Sequence, residues 1–528
     1  MVADTVHSVP SPASLDMVHA GWGDPARRRG LPDAAVEWLG SRVGRGTAST
    51  PVTLADVVVP ASRLSGVDLQ ALQGICEVHT DDGARALRAA GRSYQDLVSL
   101  RSGEFAAPDA VLLPASEDEV ASLLRACVAA DIAVVPFGGG TSVVGGVSPL
   151  PGGKRAVVAL DLRRLDRLVS VSEHDLTAVL EPGLRGPAAE ALLNDRGFTL
   201  GHFPQSYEHA TIGGYAATRS AGQASTGNGR FDANVLGLTV QTPSGPLVLG
   251  RGAATAAGPS LLQLFVGSEG LFGVITSVTM RIRPLPEVKK YDAYLVRSWA
   301  DGIEQLRVLE QSGVVPTVAR LSDLEETRVS LQLSAPGMVR KLASGRCLLI
   351  LGWEGSAASV RQRRRACSIQ GIRLPGAGDK WEHGRYGGPY LRDDLMDAGF
   401  LVETLETSAA WSHLLTVHAA VRAALTEALG SCVVMCHVSH LYSQGASLYF
   451  TVFAAASSDP SRQWQVAKDA ACAALVDTGA TITHHHAVGT DHRPFMTDEI
   501  GPLGVCLLQA VKDALDPTGI LNPDKLIP

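Results

Sequence analysis

The sequence predicts an α+β protein built from more than one unit, on three observations. Its 528 residues exceed what one hydrophobic core usually holds, so two or three units are expected. Apolar runs of strand length, such as Ala156–Leu160, Ala178–Leu180, Val274–Met280, Cys347–Leu351 and Ala446–Phe453, are cut off by Gly and Pro. Set among them are segments of helical period, Glu117 to Ala130, Pro187 to Asn194 and Gly302 to Gln311.

In chain order, residues 1–105 read as a leader followed by a helical extension. The start, to about Ser14, lacks the charged-then-apolar order of a signal peptide and is expected to be disordered. Short amphipathic stretches follow at Asp33 to Leu39 and Asp68 to Cys76. Residues 106–287 form the first α+β unit. After Pro284-Leu-Pro286 a second unit, residues 288–480, is laid over the first. Residues 481–528 carry a His-His-His motif and are expected to pack back on the first unit.

Composition narrows the classes of function. With 45% apolar and 19% charged residues the chain has ample core material. No window reaches the ~18 uncharged apolar residues of a membrane span. A net charge of -7 argues against general nucleic-acid binding, and the run Arg361 to Arg365 reads as a solvated helix face. Eight cysteines without a CxxC pair imply reduced thiols in a cytoplasmic protein.

The most informative segment is Pro136-Phe-Gly-Gly-Gly-Thr-Ser-Val-Val-Gly-Gly146, directly behind the apolar run Ile132–Val135. Glycines let the backbone approach a ligand, so successive N–H groups can converge on a pyrophosphate, with Thr141 and Ser142 adding hydroxyls. No Gly-Lys-Ser/Thr follows, as a nucleotide triphosphatase needs, and no long helix opens as in a Rossmann turn. Taken alone, the run reads equally as a phosphate cradle or a tight turn between strands.

Two further glycine-rich segments, Thr211–Gly222 and Gly267–Thr276, follow in order. Together the three resemble the FAD-binding domain of the vanillyl-alcohol oxidase group. That resemblance implies a two-subdomain FAD-binding domain under an α+β substrate cap. It places the first loop at the pyrophosphate, the second along the isoalloxazine and the third around the adenosine half. The cofactor-binding candidates are then Pro136, Gly138, Gly139, Gly140, Thr141, Ser142, Gly145, His202, Gln205, Thr211, Gly213, Gly214, Thr218, Ser220, Glu269, Gly273, Val274 and Ile275. Glu269 either fixes its turn or touches the cofactor. The first loop has no His at the usual attachment position, so FAD is expected to be held without a covalent bond.

The second half narrows the match. Arg320-Leu-Ser-Asp323, Pro389–Asp393, Glu403–Trp411, Gly445–Phe450, Thr483–Gly489 and Asp516–Pro523 resemble the alkyldihydroxyacetonephosphate synthase family, from roughly Ala84 onward. The resemblance implies exchange of the acyl chain of acyl-dihydroxyacetone phosphate for a fatty alcohol, through a substrate adduct on flavin N5 and without net redox. It assigns Arg392, with Tyr442 and His485 or His486, to the substrate phosphate, and Arg320 to the neighbourhood of the flavin. A small-molecule or lipid substrate, peripheral membrane contact and a homodimer go with it. The apolar stretches Met338 to Leu342 and Phe400 to Leu401 would line a tunnel for the alcohol chain.

Each catalytic candidate carries a second reading. On a strand, His484 and His486 would share one face and His485 the other. The cluster could serve catalysis or phosphate binding, bind metal, or be structural. No Asp or Glu stands at an evident ligand spacing, and no resident metal is expected. Tyr442 is a candidate acid or base, or an ordinary buried tyrosine. Arg320 could instead pair with Asp323 at the surface. The chain departs from the family pattern at Gln205, where that pattern has Asp, and at His437, where it has Arg. The alternative function is an FAD-dependent oxidase or dehydrogenase of a 2-hydroxy acid or alcohol.

Overall fold

The computed structural model describes residues 16–334 and 337–528. The expected leader over residues 1–14 lies outside the described residues. In chain order the strands are β1 (Glu77–His79), β2 (Ala110–Leu113), β3 (Ile132–Phe137), β4 (Ala156–Asp161), β5 (Leu168–Ser172), β6 (Thr177–Leu180), β7 (Phe198–Thr199), β8 (Val235–Thr242) and β9 (Gly245–Leu249). They continue with β10 (Val274–Arg281), β11 (Arg283–Pro284), β12 (Val288–Val296), β13 (Val318–Ser322), β14 (Cys347–Gly355), β15 (Ile372–Arg373), β16 (Phe400–Ala410), β17 (Cys432–Tyr442) and β18 (Gly445–Ala455).

The first sheet has the order β1-β2-β4-β3, with β2 and β3 both parallel to β4. Its buried, β-branched strands are what a parallel sheet covered on both faces requires. The helix Glu117–Ala130 starts where the sequence places it because Ser116 Oγ accepts from the Glu119 N–H and three acidic residues occupy the first turn. Its Val120, Leu123, Leu124 and Cys127 are buried. The second sheet, β5-β6-β10-β8-β9, is antiparallel.

The third sheet is antiparallel with the order β15-β12-β14-β13-β17-β18-β16. Its alternation decides where the functional cavity lies. Leu401, Leu405, Val434, Cys436, Val438, Leu448, Phe450 and Val452 belong to one core cluster with Val417, Val421, Trp464 and Ala471 of the helices Leu414–Leu429 and Pro460–Asp477. The intervening residues, among them Val402, Thr404, Met435, His437, Tyr449, Thr451 and Phe453, line the cavity on the opposite face.

Two expectations need correction. Residues 1–105 are not wholly helical, because Glu77–His79 pairs with Val111–Leu113 and adds an antiparallel edge to the first sheet. The apolar stretches expected to line a tunnel do not: Met338 is 84% exposed, while Phe400 and Leu401 are buried in core clusters. Phe400 packs with the Leu39 and Val43 of the N-terminal helix Asp33–Val43, which takes up that face of β16. No helix among the described residues is long and apolar enough to cross a membrane.

Candidate active site

A cavity of about 510 Å³ lies between the glycine-rich loops and the open face of the third sheet. Its floor is the loop behind β3, from Pro136 through Val143 and on to Gly146 and Val147. Among the described residues, no protein group accepts from the N–H groups of Gly139 through Val143. Five successive free donors lining a cavity are what an anionic cofactor needs, since buried N–H groups otherwise find partners. A side chain at Gly139 would run into the His209 carbonyl at 2.1 Å, so only glycine lets the loop lie this close to its neighbour.

The second wall is the helix Ile212–Thr218, where Thr211 caps the N-terminus by accepting from the Gly214 N–H. Gly213 packs against Pro182 where a Cβ would stand 2.6 Å from its ring. Ser220, Gln205, Gly273 and Ile275 complete this side. Gln205 donates to the Arg385 carbonyl at 2.9 Å.

Glu269 resolves its two readings toward structure. Held at φ +52°, it accepts from the N–H groups of Val488 and Gly489 at 3.0 and 2.9 Å, while still lining the cavity. Burial raises its carboxyl to about 7. Its carbonyl and that of Gly146 both accept from Asn522 Nδ2, so residues near 522 tie the first and third glycine loops together.

The three histidines do not form a strand. Glu406, on β16, accepts from the backbone N–H groups of His484, His485 and His486 at 2.8, 3.0 and 2.9 Å, and from Thr483 Oγ1. Satisfying one carboxylate with three consecutive N–H groups bends the chain, so the expected alternation fails. His485 and His486 face the cavity, whereas His484 turns behind them. Burial pushes Glu406 upward, but the attraction of His485 and the hydrogen bond from it outweigh this and hold the carboxyl well below its ordinary range. Burial also drives His484 and His440 well below an ordinary histidine. Tyr442 Oη meets His484 Nε2 at 2.5 Å, and His484 Nδ1 meets His485 Nδ1 at 2.9 Å. Tyr442 therefore reaches the cavity only through His484. Burial raises its hydroxyl above the usual range, so the phenol keeps its proton at rest.

Arg392, on the helix Gly388–Asp397, sits in the cavity wall. Its Nη1 donates to the Arg92 carbonyl at 2.8 Å, while Nε and Nη2 are buried without a partner and Glu403 stays 3.9 Å away. The Arg92 N–H bonds to the Ser142 carbonyl and its Nε to the Gly21 carbonyl. Burial lowers the Arg92 guanidinium to about 10. The phosphate loop, Arg392 and an N-terminal strap thus share one joint, and Trp22 of that strap also lines the cavity.

Arg320 does not pair with Asp323. It donates to Glu326 Oε1 at 2.5 Å and to His437 Nε2 at 3.1 Å, while Asp323 holds His418 and Arg422. Because Arg320 can only donate, His437 Nε2 accepts and its Nδ1–H points at Glu326, 3.1 Å away. Burial raises Glu326, but the Arg320 charge and the hydrogen bonds from His437 and Arg320 bring it down to about 2.

Three cofactor candidates fall outside the lining. His202 is buried against Tyr215 and Phe231 with its Nε2 on Ser220 Oγ, and burial lowers it to about 3. Val274 belongs to the core of the first sheet, and Gly145 packs under Thr490. Missing from the sequence reading were Glu406, Glu326, Trp22 and His440. For Glu406 a signal existed: an acidic residue inside an apolar strand is buried only with partners.

A model described as FAD binding domain matches residues 108–249, and one described as FAD linked oxidases, C-terminal domain, matches residues 285–526. The alkyldihydroxyacetonephosphate synthase of Dictyostelium discoideum is 31% identical over 484 residues, 86% of this chain and 79% of that protein. That of Trypanosoma brucei brucei is 32% identical over 482 residues, 86% and 78% of the two.

The chain belongs to the alkyldihydroxyacetonephosphate synthase family.

A solved structure of that family superposes with a TM-score of 0.82 at 25% identity, covering 98% of this chain and 100% of the other. The structure of p-cresol methylhydroxylase, with a TM-score of 0.69 at 15% identity over 88% and 98% of the chains, shares the fold. The protein is thus an FAD-dependent enzyme of the α+β, vanillyl-alcohol oxidase type, and the free N–H groups of its first loop fit that cofactor.

Proposed function

We propose that the protein exchanges the acyl chain of acyl-dihydroxyacetone phosphate for a fatty alcohol. The observation that carries this reading is Arg392, a buried guanidinium with two N–H groups free in the wall of the FAD cavity. A planar fork of this kind suits two oxygens of a phosphate. FAD, held by the glycine loops, supplies an electrophilic centre for the substrate carbon. The chain's own residues do the rest. Arg392 fixes the phosphate, and His485, at the cavity face, takes and returns the proton, its Nδ1 held by the His484–Tyr442 pair. Leu391, Leu395, Val402, Met435 and Phe453 offer an apolar wall to the chain and keep water from the reacting carbon. The acyl chain leaves as a carboxylate, and the alcohol gives up its hydroxyl proton as the ether forms.

An anaerobic visible spectrum tests the proposal. Acyl-dihydroxyacetone phosphate should bleach the flavin band, and a fatty alcohol should restore it with formation of an ether. Lasting bleaching by D-lactate or glycolate, reversed only by an electron acceptor, would replace the transferase with a dehydrogenase. The same reading has FAD bound without a covalent link, so acid precipitation should release all flavin to the supernatant.

Peripheral membrane contact and a homodimer belong to the proposal as well. Exposed Met338 and Leu342, 84% and 40% accessible, lie beside Arg340 and Lys341 on the helix Gly337–Leu342. Apolar side chains flanked by cations suit an anionic bilayer. Flotation with phosphatidylserine vesicles should carry the protein, and Met338→Glu should reduce it. Sedimentation should give about twice the 55.3 kDa chain mass.

A further inference from the structure

His440 has no part in the proton path above, yet it is placed with care. It stands where the β17–β18 ladder breaks register between Val438 and Leu441, the kind of interruption that re-aims a side chain. It is 4% exposed, it lines the cavity, and its Nδ1 is buried without a partner. Its ring stacks on His484 at 5.2 Å and meets His485 edge-on at 5.3 Å. One ring nitrogen from each of His440, His484 and His485 lies within 4.8 Å of the others.

We infer that these three imidazoles form a site for a borderline divalent transition-metal cation such as Zn²⁺, and that its occupancy blocks the enzyme. Such cations favour imidazole nitrogen at ~2.0–2.1 Å, which sets two ligands of a tetrahedral centre ~3.3–3.4 Å apart. The His484 and His485 Nδ1 atoms, 2.9 Å apart, are already near that spacing. His440 closes the remaining gap by turning about its side-chain bonds, and its orphaned nitrogen gains a partner by doing so. The fourth position opens to the cavity, where water fills it.

Charge and protons both balance. Glu406 is a fully buried anion whose Oε2 lies 3.3 Å from His485 Nδ1, and it offsets the charge of a buried dication. His484 must present a lone pair at Nδ1, so its proton resides at Nε2 and is donated to Tyr442 Oη. No net proton need be lost from His484. The cation would occupy lone pairs that proton transfer requires, which is why binding inhibits. Binding of the cation needs only neutral imidazoles, whereas the block on turnover rests on the proposed reaction.

The test uses FAD-loaded protein freed of metals by a chelator and dialysed against Zn²⁺. One equivalent should bind, and His440→Asn should weaken it at least about tenfold with the flavin spectrum unchanged. His79→Asn, which removes the exposed cluster of His79, Glu77 and Asp81, should leave it intact. Zn K-edge absorption on the wild-type protein gives a readout that does not depend on a variant folding, and should count three imidazoles. No binding, binding unaffected by His440→Asn, loss in His79→Asn, or any other imidazole count would overturn the inference.

Discussion

Replacing Arg392 with lysine isolates the geometry of the anion site from its charge. The wild-type guanidinium spends Nη1 on the Arg92 carbonyl and keeps Nε and Nη2 for a ligand. A lysine retains the cation but presents a single point donor, so one charge-assisted hydrogen bond to the phosphate is lost. Such a bond contributes about 1.5–3 kcal/mol, which at ~1.36 kcal/mol per decade is a fall of roughly 10- to 150-fold in kcat/KM. The assay is incorporation of labelled fatty alcohol into ether product at sub-saturating acyl substrate. FAD content and melting temperature serve as controls, because the glycine loops are untouched. A rate within threefold of wild type, with flavin and fold intact, would refute the assignment of Arg392 to the phosphate.

Three further predictions concern the groups behind the cavity face. Tyr442→Phe removes the hydroxyl that sets the proton on His484, and kcat should fall by roughly 10²–10⁴ while FAD binding stays unchanged; an unaltered kcat would remove Tyr442 from the proton path. Glu406→Gln replaces the carboxylate that gathers three backbone N–H groups and should cost on the order of 3 kcal/mol in denaturant unfolding at pH 7. Since folding depresses the Glu406 pKa below 4.5, its contribution is present above about pH 4.5 and is lost as pH falls, so wild type and variant should converge in acid. Glu269 has the opposite sign: raised from 4.5 to about 7, it makes wild-type stability decline as pH rises through that window, by on the order of 3 kcal/mol. Glu269→Gln should flatten that decline, and parallel profiles for the two proteins would contradict it.

What could be read from the sequence was set locally. The helix Glu117–Ala130 declares itself through its Ser116 cap, its acidic first turn and its apolar stripe, so its limits match the expectation. The glycine loops were legible because a close backbone approach admits no substitute. The histidine segment was not, because its shape is imposed by Glu406, nearly 80 residues earlier. Strand alternation is a fair default for three polar residues after an apolar run, but a buried carboxylate demanding three donors overrides it. Trp22 was invisible for the same reason, its N–H being held by Asp393 across 371 residues. The Arg320–Glu326 pair could have been read at its spacing of six, but Asp323 was nearer in sequence, and spacing alone does not show which carboxylate the arginine faces.

The stitch made by Asn522 has a consequence for how the enzyme comes to life. Val134 of β3 bonds to the backbone of Ile520 and Asn522, and Asn522 then reaches Gly146, 376 residues earlier in the chain. A ribosome delivers the cofactor loop long before it delivers the residues that brace it. Through most of synthesis the cradle has its glycines but not its clasp, and the first and third loops stay untied until the residues around 522 emerge.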